Sequence, residues 1–387
     1  MIPLSYIWRN LWSRKVTTAL TVFGIMLVVF VFTAVLMLSD GLRQTLVATG
    51  SDDNVIVIRE SSQTEVQSII NRDQADIVST MPEIATAKDG LPLFTNEIYV
   101  LIALAKRGGD GRDNVVTRGV SEKSLELRPK VKIVEGRMWR EGTSEVIAGS
   151  SAAASFKGCG VGETVRFGAR DWTVVGVFDA QGTAFDSEIW GDIDQMMDAF
   201  RRPVYSSLTF RLNDRGDFNA IKERIDADRR LPLDVRREKD YYAGQSSFMS
   251  AFITWLGGTV SVLFGLAAIV GAAITMYAAV ARRTREIGTL RSLGFSRFSI
   301  LTTFLIEAIL ISLVGGALGL VAASFLGFIQ VSMTNWDTFS ILSFNFQLNA
   351  STVLYSMIFA LAMGLVGGFF PAVRAARKKI VNALRSI

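Results

Sequence analysis

The chain contains no histidine and only one cysteine among its 387 residues. The lack of histidine excludes catalysis by an imidazole acid or base and excludes histidine metal ligands. A single cysteine cannot form a disulfide within the chain or supply the thiolates of a zinc site. We therefore expect Cys159 to be a small buried residue rather than a nucleophile.

Patterns that mark other kinds of site are missing as well. The phosphate-binding pattern G-x-x-x-x-G-K-[S/T] does not occur, nor does any Gly-Lys dipeptide or G-x-S-x-G elbow. One acidic cluster consists of Asp186, Glu188, Asp192, Asp194 and Asp198. Its spacing differs from that of a calcium-binding loop, so we expect a solvated face.

Apolar residues, in contrast, are abundant. They make up 50% of the chain, and the mean hydropathy is +0.33. A membrane-spanning helix needs about 20 mostly apolar residues, and four stretches qualify: 16–39, 241–281, 300–333 and 338–373. Glu307 is the one charged residue in these stretches. The second stretch is about 60 Å long as a helix, twice the hydrocarbon thickness, so its first part is expected to stand outside the bilayer as a stalk.

Lysine and arginine near the ends of the spans set the orientation. Arg9, Arg14 and Lys15 precede the first span, and Arg282, Arg283, Arg285, Arg291 and Arg297 lie between the second and third. Arg374, Arg377, Lys378, Lys379 and Arg385 follow the fourth. With four spans these groups share one side, which we take to be cytoplasmic. Both termini are then cytoplasmic, in a multi-pass membrane protein.

The predicted fold class is a membrane α-helical protein with four transmembrane helices and a large extracytoplasmic α+β domain between helices one and two. Transmembrane helices are predicted at 16–40, 252–281, 298–330 and 351–373. An amphipathic interfacial helix is predicted at 1–15, the extracytoplasmic domain at 41–251 with a stalk at 240–251, a short cytoplasmic helix at 282–297, an extracytoplasmic loop at 331–350 and a cytoplasmic tail at 374–387.

Alternation and turn residues predict the elements of the extracytoplasmic domain. Strands are expected at 53–59, 97–105, 206–214 and 231–238, and a hairpin at 163–179. Helices are expected at 66–81 and 217–230.

The spans carry small residues every fourth position. On the third span these are Gly315, Gly319, Ala323 and Gly327. Such stripes allow two helices to approach closely, within the chain or across a dimer. Glu307 lies about 10 Å along the same span, measured from its cytoplasmic start. Because no other acid or histidine lies in the spans, we expect a hydrogen bond or an ion pair with the basic segment rather than a proton relay.

Two stretches resemble the signature of the MacB/FtsX-type permeases of ABC transporters. The first is "TREIGTLRSLGFSRFSILTTFLIEAILISLVGGALGL", in which R-E-I-G precedes a span with an acid and a glycine-rich run. The second is the end of the chain, "GLVGGFFPAVRAARKKIVNALRSI". The order of one span, a large external domain and three more spans is similar to that family too. The resemblance is strongest in the last 110 residues or so, and it implies a location in the bacterial cell (inner) membrane.

The resemblance implies that 284–293 is a coupling helix that docks on a cytoplasmic ATPase. The residues it assigns to coupling are Thr284, Arg285, Glu286, Ile287, Gly288, Leu290, Arg291, Leu293 and Gly294. Glu286 is expected to contact the ATPase, and Gly288 to leave room for that contact. No cofactor is expected on this chain itself, since ATP and Mg would bind the partner ATPase. Two lobes are also implied, one at 52–107 plus 206–239 and a β-rich one inserted at 108–205.

Further partners follow from the same resemblance. They are a second permease in a homodimer or heterodimer, membrane lipid, and for some members a periplasmic membrane-fusion protein with an outer-membrane channel. No nucleic-acid partner is expected. ATP-driven movement of the external domains would export drugs or peptides, or extract lipidated cargo, at the outer face. The alternative is an FtsX-like scaffold that transports nothing and activates an extracytoplasmic cell-wall hydrolase. A membrane enzyme is the weakest alternative, because no catalytic set occurs.

Overall fold

The computed structural model describes residues 15–87 and 89–378. The predicted amphipathic helix at 1–15 (all but its last residue) and the end of the predicted tail lie outside the described residues. The helices are α1 (Lys15–Thr49), α2 (Arg72–Ser79), α3 (Lys123–Leu127), α4 (Ser150–Ser155), α5 (Ile193–Ala199), α6 (Phe218–Ala227), α7 (Glu238–Arg282), α8 (Thr284–Ser292), α9 (Arg297–Ser324) and α10 (Ala350–Ala376).

The strands are β1 (Asn54–Arg59), β2 (Phe94–Ala105), β3 (Arg112–Val120), β4 (Lys132–Gly136), β5 (Glu145–Gly149), β6 (Thr164–Phe167), β7 (Arg170–Asp179), β8 (Glu188–Asp192), β9 (Ser207–Arg211), β10 (Leu233–Arg237), β11 (Gln330–Thr334) and β12 (Ile341–Asn345). The chain divides into two compact units: residues 1–40, 251–329 and 346–387, and residues 41–250 with 330–345.

In the part of the chain that the structure describes, four helices are long and apolar enough to cross a membrane: α1, α7, α9 with the short 3₁₀ turn that follows it, and α10. The predicted stalk and second span form one unbroken helix of 45 residues, α7. Helix α1 runs nine residues beyond its predicted end at 40. Leu42 and Leu46, four positions apart, are both buried, so the added turns have an apolar face to pack.

The small residues of α9 pack against helices of the same chain. An added Cβ at Gly319 would lie 2.7 Å from the carbonyl oxygen of Met26 and 3.0 Å from Cβ of Val29 on α1. At Gly315 the nearest atoms belong to Ile25 and Val22, each 3.0 Å away. Ala323 is fully buried, whereas Gly327 lies in the 3₁₀ turn at Phe325–Phe328. The stripe on α9 therefore serves close packing on α1 within the chain.

The second of these units, residues 41–250 with 330–345, is called the external unit. It is built on one ten-stranded sheet. Its strand order is β10-β1-β9-β2-β3-β8-β5-β7-β4, with β6 paired to β7. Strand β2 pairs with β9 through its first residues and with β3 from Ile98 onward. Two hydrophobic cores lie on this sheet, one around β1, β9 and α6, the other around β5, β7 and β8. Because β2 runs through both halves, the two expected lobes share a strand and are joined by continuous hydrogen bonding.

Most predicted elements of this unit match observed ones: β1, β2, the β6–β7 hairpin, β9, α6 and β10. The helix expected at 66–81 is shorter, since α2 begins only at Arg72. The side chain of Gln74 there accepts the backbone N–H of Asn71 at 3.0 Å, which caps the helix start.

The predicted loop at 331–350 contains a β-hairpin, β11–β12. Ile341 joins the core around β5 and β7, and the backbone N–H of Ser343 donates to Oγ of Ser187 at 3.0 Å. On β11, Gln330 donates to Oγ of Ser151 at 2.7 Å. The hairpin is thus part of the external unit.

Candidate functional site

Helix α8 is a separate nine-residue helix between α7 and α9. It ends two residues before Gly294. Gly294 has a φ of +95°, a conformation that side-chain-bearing residues rarely adopt. Its N–H donates to the carbonyl of Arg291 at 3.2 Å, and the N–H of Phe295 donates to that of Leu290 at 3.2 Å. These bonds satisfy carbonyl groups of the last turn and turn the chain toward α9.

One face of α8 is buried in its own unit. Ile287 is 2% exposed and packs in a cluster with Phe304, Ala308 and Ala375, with Leu290 beside it. Gly288 is buried as well. The expectation that Gly288 leaves room for a partner stays a prediction, and the structure places this glycine on the packed side of α8.

The opposite face of α8 is open. Leu293 follows the last residue of α8. Its apolar side chain is 71% exposed to solvent. The coupling residues that the sequence singled out fall into three groups. Arg285, Glu286, Leu293 and Gly294 are exposed, Thr284, Leu290 and Arg291 are half-buried, and Ile287 and Gly288 are buried. Thr289 and Ser292 also lie on the exposed face, and sequence reasoning did not single them out. Only part of the motif is thus accessible to another protein, because some of its residues are buried within the chain.

Glu286 and Glu307 both contact Arg283. Nε of Arg283 lies 2.9 Å from Oε2 of Glu286, and Nη1 lies 3.2 Å from Oε2 of Glu307. The Arg283 side chain is 4% exposed and the Glu307 side chain 8%, whereas that of Glu286 is 59% exposed. The preferred interpretation of Glu307, a contact with the basic segment, agrees with this ion pair.

The space beside Glu307 is small. A cavity of about 50 Å³ lies between α1, α7, α9 and α10, lined by Thr21, Thr275, Glu307, Gly364 and other residues of those helices. Oγ1 of Thr21 lies 3.1 Å from Oγ1 of Thr275. This volume admits one or two water molecules.

The external unit holds a buried network of charges that the sequence analysis did not find. Its members are Glu65, Glu97, Arg118, Arg128, Glu188 and Glu238, and each is at most 4% exposed. Arg118 contacts Glu65 at 2.7 Å, Glu97 at 2.6 Å and Glu188 at 2.8 Å. Arg128 contacts Glu97 at 2.6 Å and Glu238 at 3.3 Å. Glu238 is the first residue of α7, so the network ties the start of that helix to strands β2, β3 and β8.

Burial and charge shift the pKa values of this network in opposite directions. Burial raises the pKa of Glu65, and Arg118 only partly offsets that effect. Burial also opposes ionisation of Glu97, but Arg128 and Arg118 outweigh it and hold the pKa of that carboxyl below its usual value. Two guanidinium groups therefore face four carboxyl groups, and the pKa values of two of these, Glu65 and Glu97, are shifted in opposite directions. No sequence pattern distinguishes these residues from the surface charges around them.

The acidic cluster at 186–198 is not a solvated face throughout. Asp186, Glu188 and Asp192 are buried, whereas Asp194 and Asp198 are exposed. Asp186 accepts the backbone N–H groups of Ala180 and Gly182 at 2.6 and 2.8 Å, so it shapes a turn. Among residues 15–87 and 89–378, no group of three or more Cys, Asp or Glu side chains could hold a metal ion.

Cys159 is fully buried, as expected, in the core around β5 and β7. Burial raises the pKa of its thiol from 9.0 to about 12. At neutral pH the thiolate that reacts with electrophiles is therefore nearly absent.

Two family models match the chain. The MacB-like periplasmic core domain matches residues 18–228, more than half of the chain, and the FtsX-like permease C-terminal domain matches residues 258–380. The chain belongs to the MacB/FtsX-type permeases. It is thus a permease of the ABC-transporter class, with a MacB-like external domain between its first and second membrane helices.

Several related proteins are similar to this permease over almost its whole length. The macrolide export ATP-binding/permease protein MacB of Nitrosomonas europaea is 26% identical over 405 residues, which cover 98% of this chain and 58% of the relative. That of Bordetella avium is 24% identical, covering 96% and 58%. The chain therefore spans less than two thirds of the length of these relatives.

Solved structures resemble parts of this permease. The periplasmic region of MacB from Actinobacillus actinomycetemcomitans aligns with a TM-score of 0.37 at 14% identity, covering 50% of this chain and 92% of that one. The extracellular domain of the transporter YknZ from Gram-positive bacteria aligns with a TM-score of 0.35 at 11% identity, covering 47% and 99%.

Proposed function

We propose that this permease docks a separate cytoplasmic ABC ATPase on the exposed face of α8. The observation that carries the proposal is the exposure of Leu293 at the end of a short helix whose other face is packed. An exposed leucine beside arginine, threonine and serine forms a small apolar contact with a polar rim, the usual anatomy of a protein interface. A loop that served only to orient the spans would need arginines but neither a helix nor an exposed leucine.

The work of the ATPase, in this proposal, acts on the external domain rather than on a passage through the membrane. Two observations support this route. Helix α7 continues without a break from Glu238 to Arg282, and its first residue is held by the buried charge network of the external unit. Movement of α7 would thus be transmitted to the sheet. The cavity of about 50 Å³ beside Glu307 is much smaller than a drug-sized ligand requires.

The proposed activity is export or extraction of a substrate at the outer face of the cell membrane. Relatives named as macrolide export ATP-binding/permease proteins support this activity. ATP and Mg would bind the ATPase subunit, since this sequence has no G-x-x-x-x-G-K-[S/T] pattern. A second permease would complete the assembly, so that two ATPases act on two copies of α8.

The docking surface is tested with Leu293→Asp in the full-length tagged permease. ATP hydrolysis is measured in material affinity-purified from native membranes and divided by the amount of permease. A buried aspartate at the interface would lack a partner and cost about 2–4 kcal/mol of binding, so we expect at least a tenfold loss of co-purifying ATPase activity. The matched control is Leu91→Asp, at a leucine of the external unit that is 57% exposed, which should retain the activity.

Gly288 and Glu286 are poorer positions for this test. A larger side chain at Gly288 would disturb the packing of α8, and Glu286→Lys would place a second cation beside Arg283. Permease expressed without other subunits should hydrolyse no ATP. Undiminished ATPase activity with Leu293→Asp, or none with the wild type, would contradict the proposed docking.

A further inference from the structure

Arg283 differs from the other arginines of the basic segment. Its side chain is 4% exposed, whereas its neighbours Arg282 and Arg285 are exposed and Arg291 is half-buried. An arginine that only sets membrane orientation has no reason to leave water, because orientation depends on positive charge near the span and not on burial. The burial of this one guanidinium therefore needs another explanation.

The backbone of Arg283 is shared by two helices. Its N–H donates to the carbonyl of Ala279 in the last turn of α7 at 3.2 Å. Its own carbonyl accepts the N–H of Ile287 in α8 at 3.0 Å. Arg283 thus occupies the junction between α7 and α8, where φ and ψ are −99° and 15°. A single residue with non-helical ψ at a junction leaves the angle between two helices to be fixed by side-chain contacts.

The side chain of Arg283 supplies such contacts to two elements. Nε lies 2.9 Å from Oε2 of Glu286 in the first turn of α8. Nη1 lies 3.2 Å from Oε2 of Glu307 on α9, and the guanidinium carbon lies 5.2 Å from the centre of the Phe304 ring, also on α9. Three helices therefore meet at one residue: α7 and α8 through its backbone, and α8 and α9 through its guanidinium.

The chemistry of the guanidinium suits this arrangement. Arginine presents five N–H donors in a rigid plane, so it can hold two carboxylates at fixed directions, whereas a lysine ammonium is a point charge on a flexible stem. Removal of either carboxylate contact leaves charge poorly solvated in a buried site, so each contact constrains the geometry more than a surface ion pair does.

We propose that Arg283 is a positioning residue that braces α8 against α7 and α9, with Glu286 and Glu307 as its two anchors. This inference rests on the proposed docking of an ATPase on α8. The brace would keep the exposed face of α8, including Leu293, at a set angle, so that force from the ATPase moves α7 instead of rotating α8 about its junction. Glu307 then serves as an anchor within the membrane segment and not as a proton carrier.

The first measurement concerns the permease alone. Nitroxide labels are placed at the exposed positions Thr289 on α8 and Val314 on α9, by Thr289→Cys and Val314→Cys in a Cys159→Ala background. Electron–electron resonance gives the distribution of distances between them. We expect a narrow distribution in the wild type, and one at least twice as wide in Arg283→Gln and in Glu307→Gln. The matched control is Arg282→Gln, at an exposed neighbour, which should leave the width unchanged.

The second measurement concerns the permease with its ATPase, purified together from native membranes. We expect Arg283→Gln to retain the ATPase and the KM for ATP within a factor of two, because the docking face is intact. The kcat should fall at least fivefold, because paired ATPases can close only when both copies of α8 are aligned. Arg283→Lys should recover part of the kcat, since an ammonium reaches one carboxylate at a time. The kcat of the double variant Arg283→Gln/Glu307→Gln should be no lower than that of either single variant.

The two measurements separate the brace from the docking. An unchanged distance distribution in both Arg283→Gln and Glu307→Gln overturns the brace, whatever the ATPase does. A broadened distribution with no ATPase bound to the wild-type permease supports the brace while the proposed function fails. Loss of bound ATPase in Arg283→Gln, with kcat per bound ATPase unchanged, overturns the positioning role in favour of direct docking. If Arg283→Gln fails to accumulate in the membrane, Glu307→Gln and Arg283→Lys decide by the same criteria.

Discussion

Arg118 and Arg166 show how differently one residue type is used in the external unit. The Arg118 side chain is completely buried among three glutamates, whereas that of Arg166 is 76% exposed and lies 3.7 Å from Asp171. The local sequence does not separate them, since both occur on strands that also contain valine. Burial changes what each contact contributes: an exposed ion pair adds little stability, while a buried charge without a partner is costly.

Replacing Arg118 with methionine is therefore expected to destabilise the external unit. Glu65, Glu97 and Glu188 would lose their shared cation, at a cost of about 3–5 kcal/mol, which lowers the melting temperature by roughly 10 °C for a unit of this size. Cys159 provides the measurement, because its buried thiol reacts with a fluorogenic maleimide only after unfolding. Arg166→Met is the control and should melt within 2 °C of the wild type, on the order of the effect of an exposed ion pair. Equal melting temperatures for the two variants would show that the network contributes no stability.

At the scale of the elements, α8 and the packing of α9 on α1 account for the two most characteristic patterns in the sequence. The basic segment is a helix with one packed face and one open face. The glycine stripe brings α9 within contact distance of the α1 backbone at Met26. In lipid, where apolar burial gives helices little reason to associate, such close packing supplies much of the attraction.

Gly319→Ala is expected to weaken the contact between α9 and α1. The new Cβ would lie 2.7 Å from the carbonyl oxygen of Met26, so one helix backbone has to move, at a cost of about 1–3 kcal/mol. The fraction of permease that stays monodisperse in detergent after heating should fall relative to the wild type. Gly24→Ala on α1 is the matched control, because a Cβ there meets no atom within 4 Å. If the two variants resist heating equally, the close contact between α9 and α1 does not contribute to the heat stability of the permease.

For the whole molecule, the distribution of arginine and lysine predicts that α8 lies in the cytoplasm and the external unit outside. Single cysteines at Asp110 and Ser292, both exposed, test this orientation in a Cys159→Ala background. In intact spheroplasts a membrane-impermeant maleimide should label Asp110→Cys and leave Ser292→Cys unlabelled. After permeabilisation both should react, which controls for accessibility. The opposite pattern before permeabilisation would contradict the predicted orientation.

The sequence by itself determined the four long apolar helices and indicated the short helix between the second and third. These features depend on local patterns: runs of about 20 apolar residues, and a short basic segment with the R-E-I-G motif. The helix start at Arg72 and the hairpin β11–β12 were missed, because a cap and the Ile341 core contact decide them more than local hydrophobicity.

Only the tertiary structure decided which charges and which small residues are internal. Arg283 and Arg118 lie in stretches that also contain exposed arginines, and their burial follows from carboxylates that other elements bring within 3.2 Å. Gly288 belongs to a motif whose other face is open, yet it is packed against its own unit. The joining of both halves of the external domain by β2 was likewise decided by pairing with β9 and β3. Each of these depends on contacts between residues far apart in the chain, and the free energy of a buried charge or a close helix contact is set by such partners and not by neighbours in sequence.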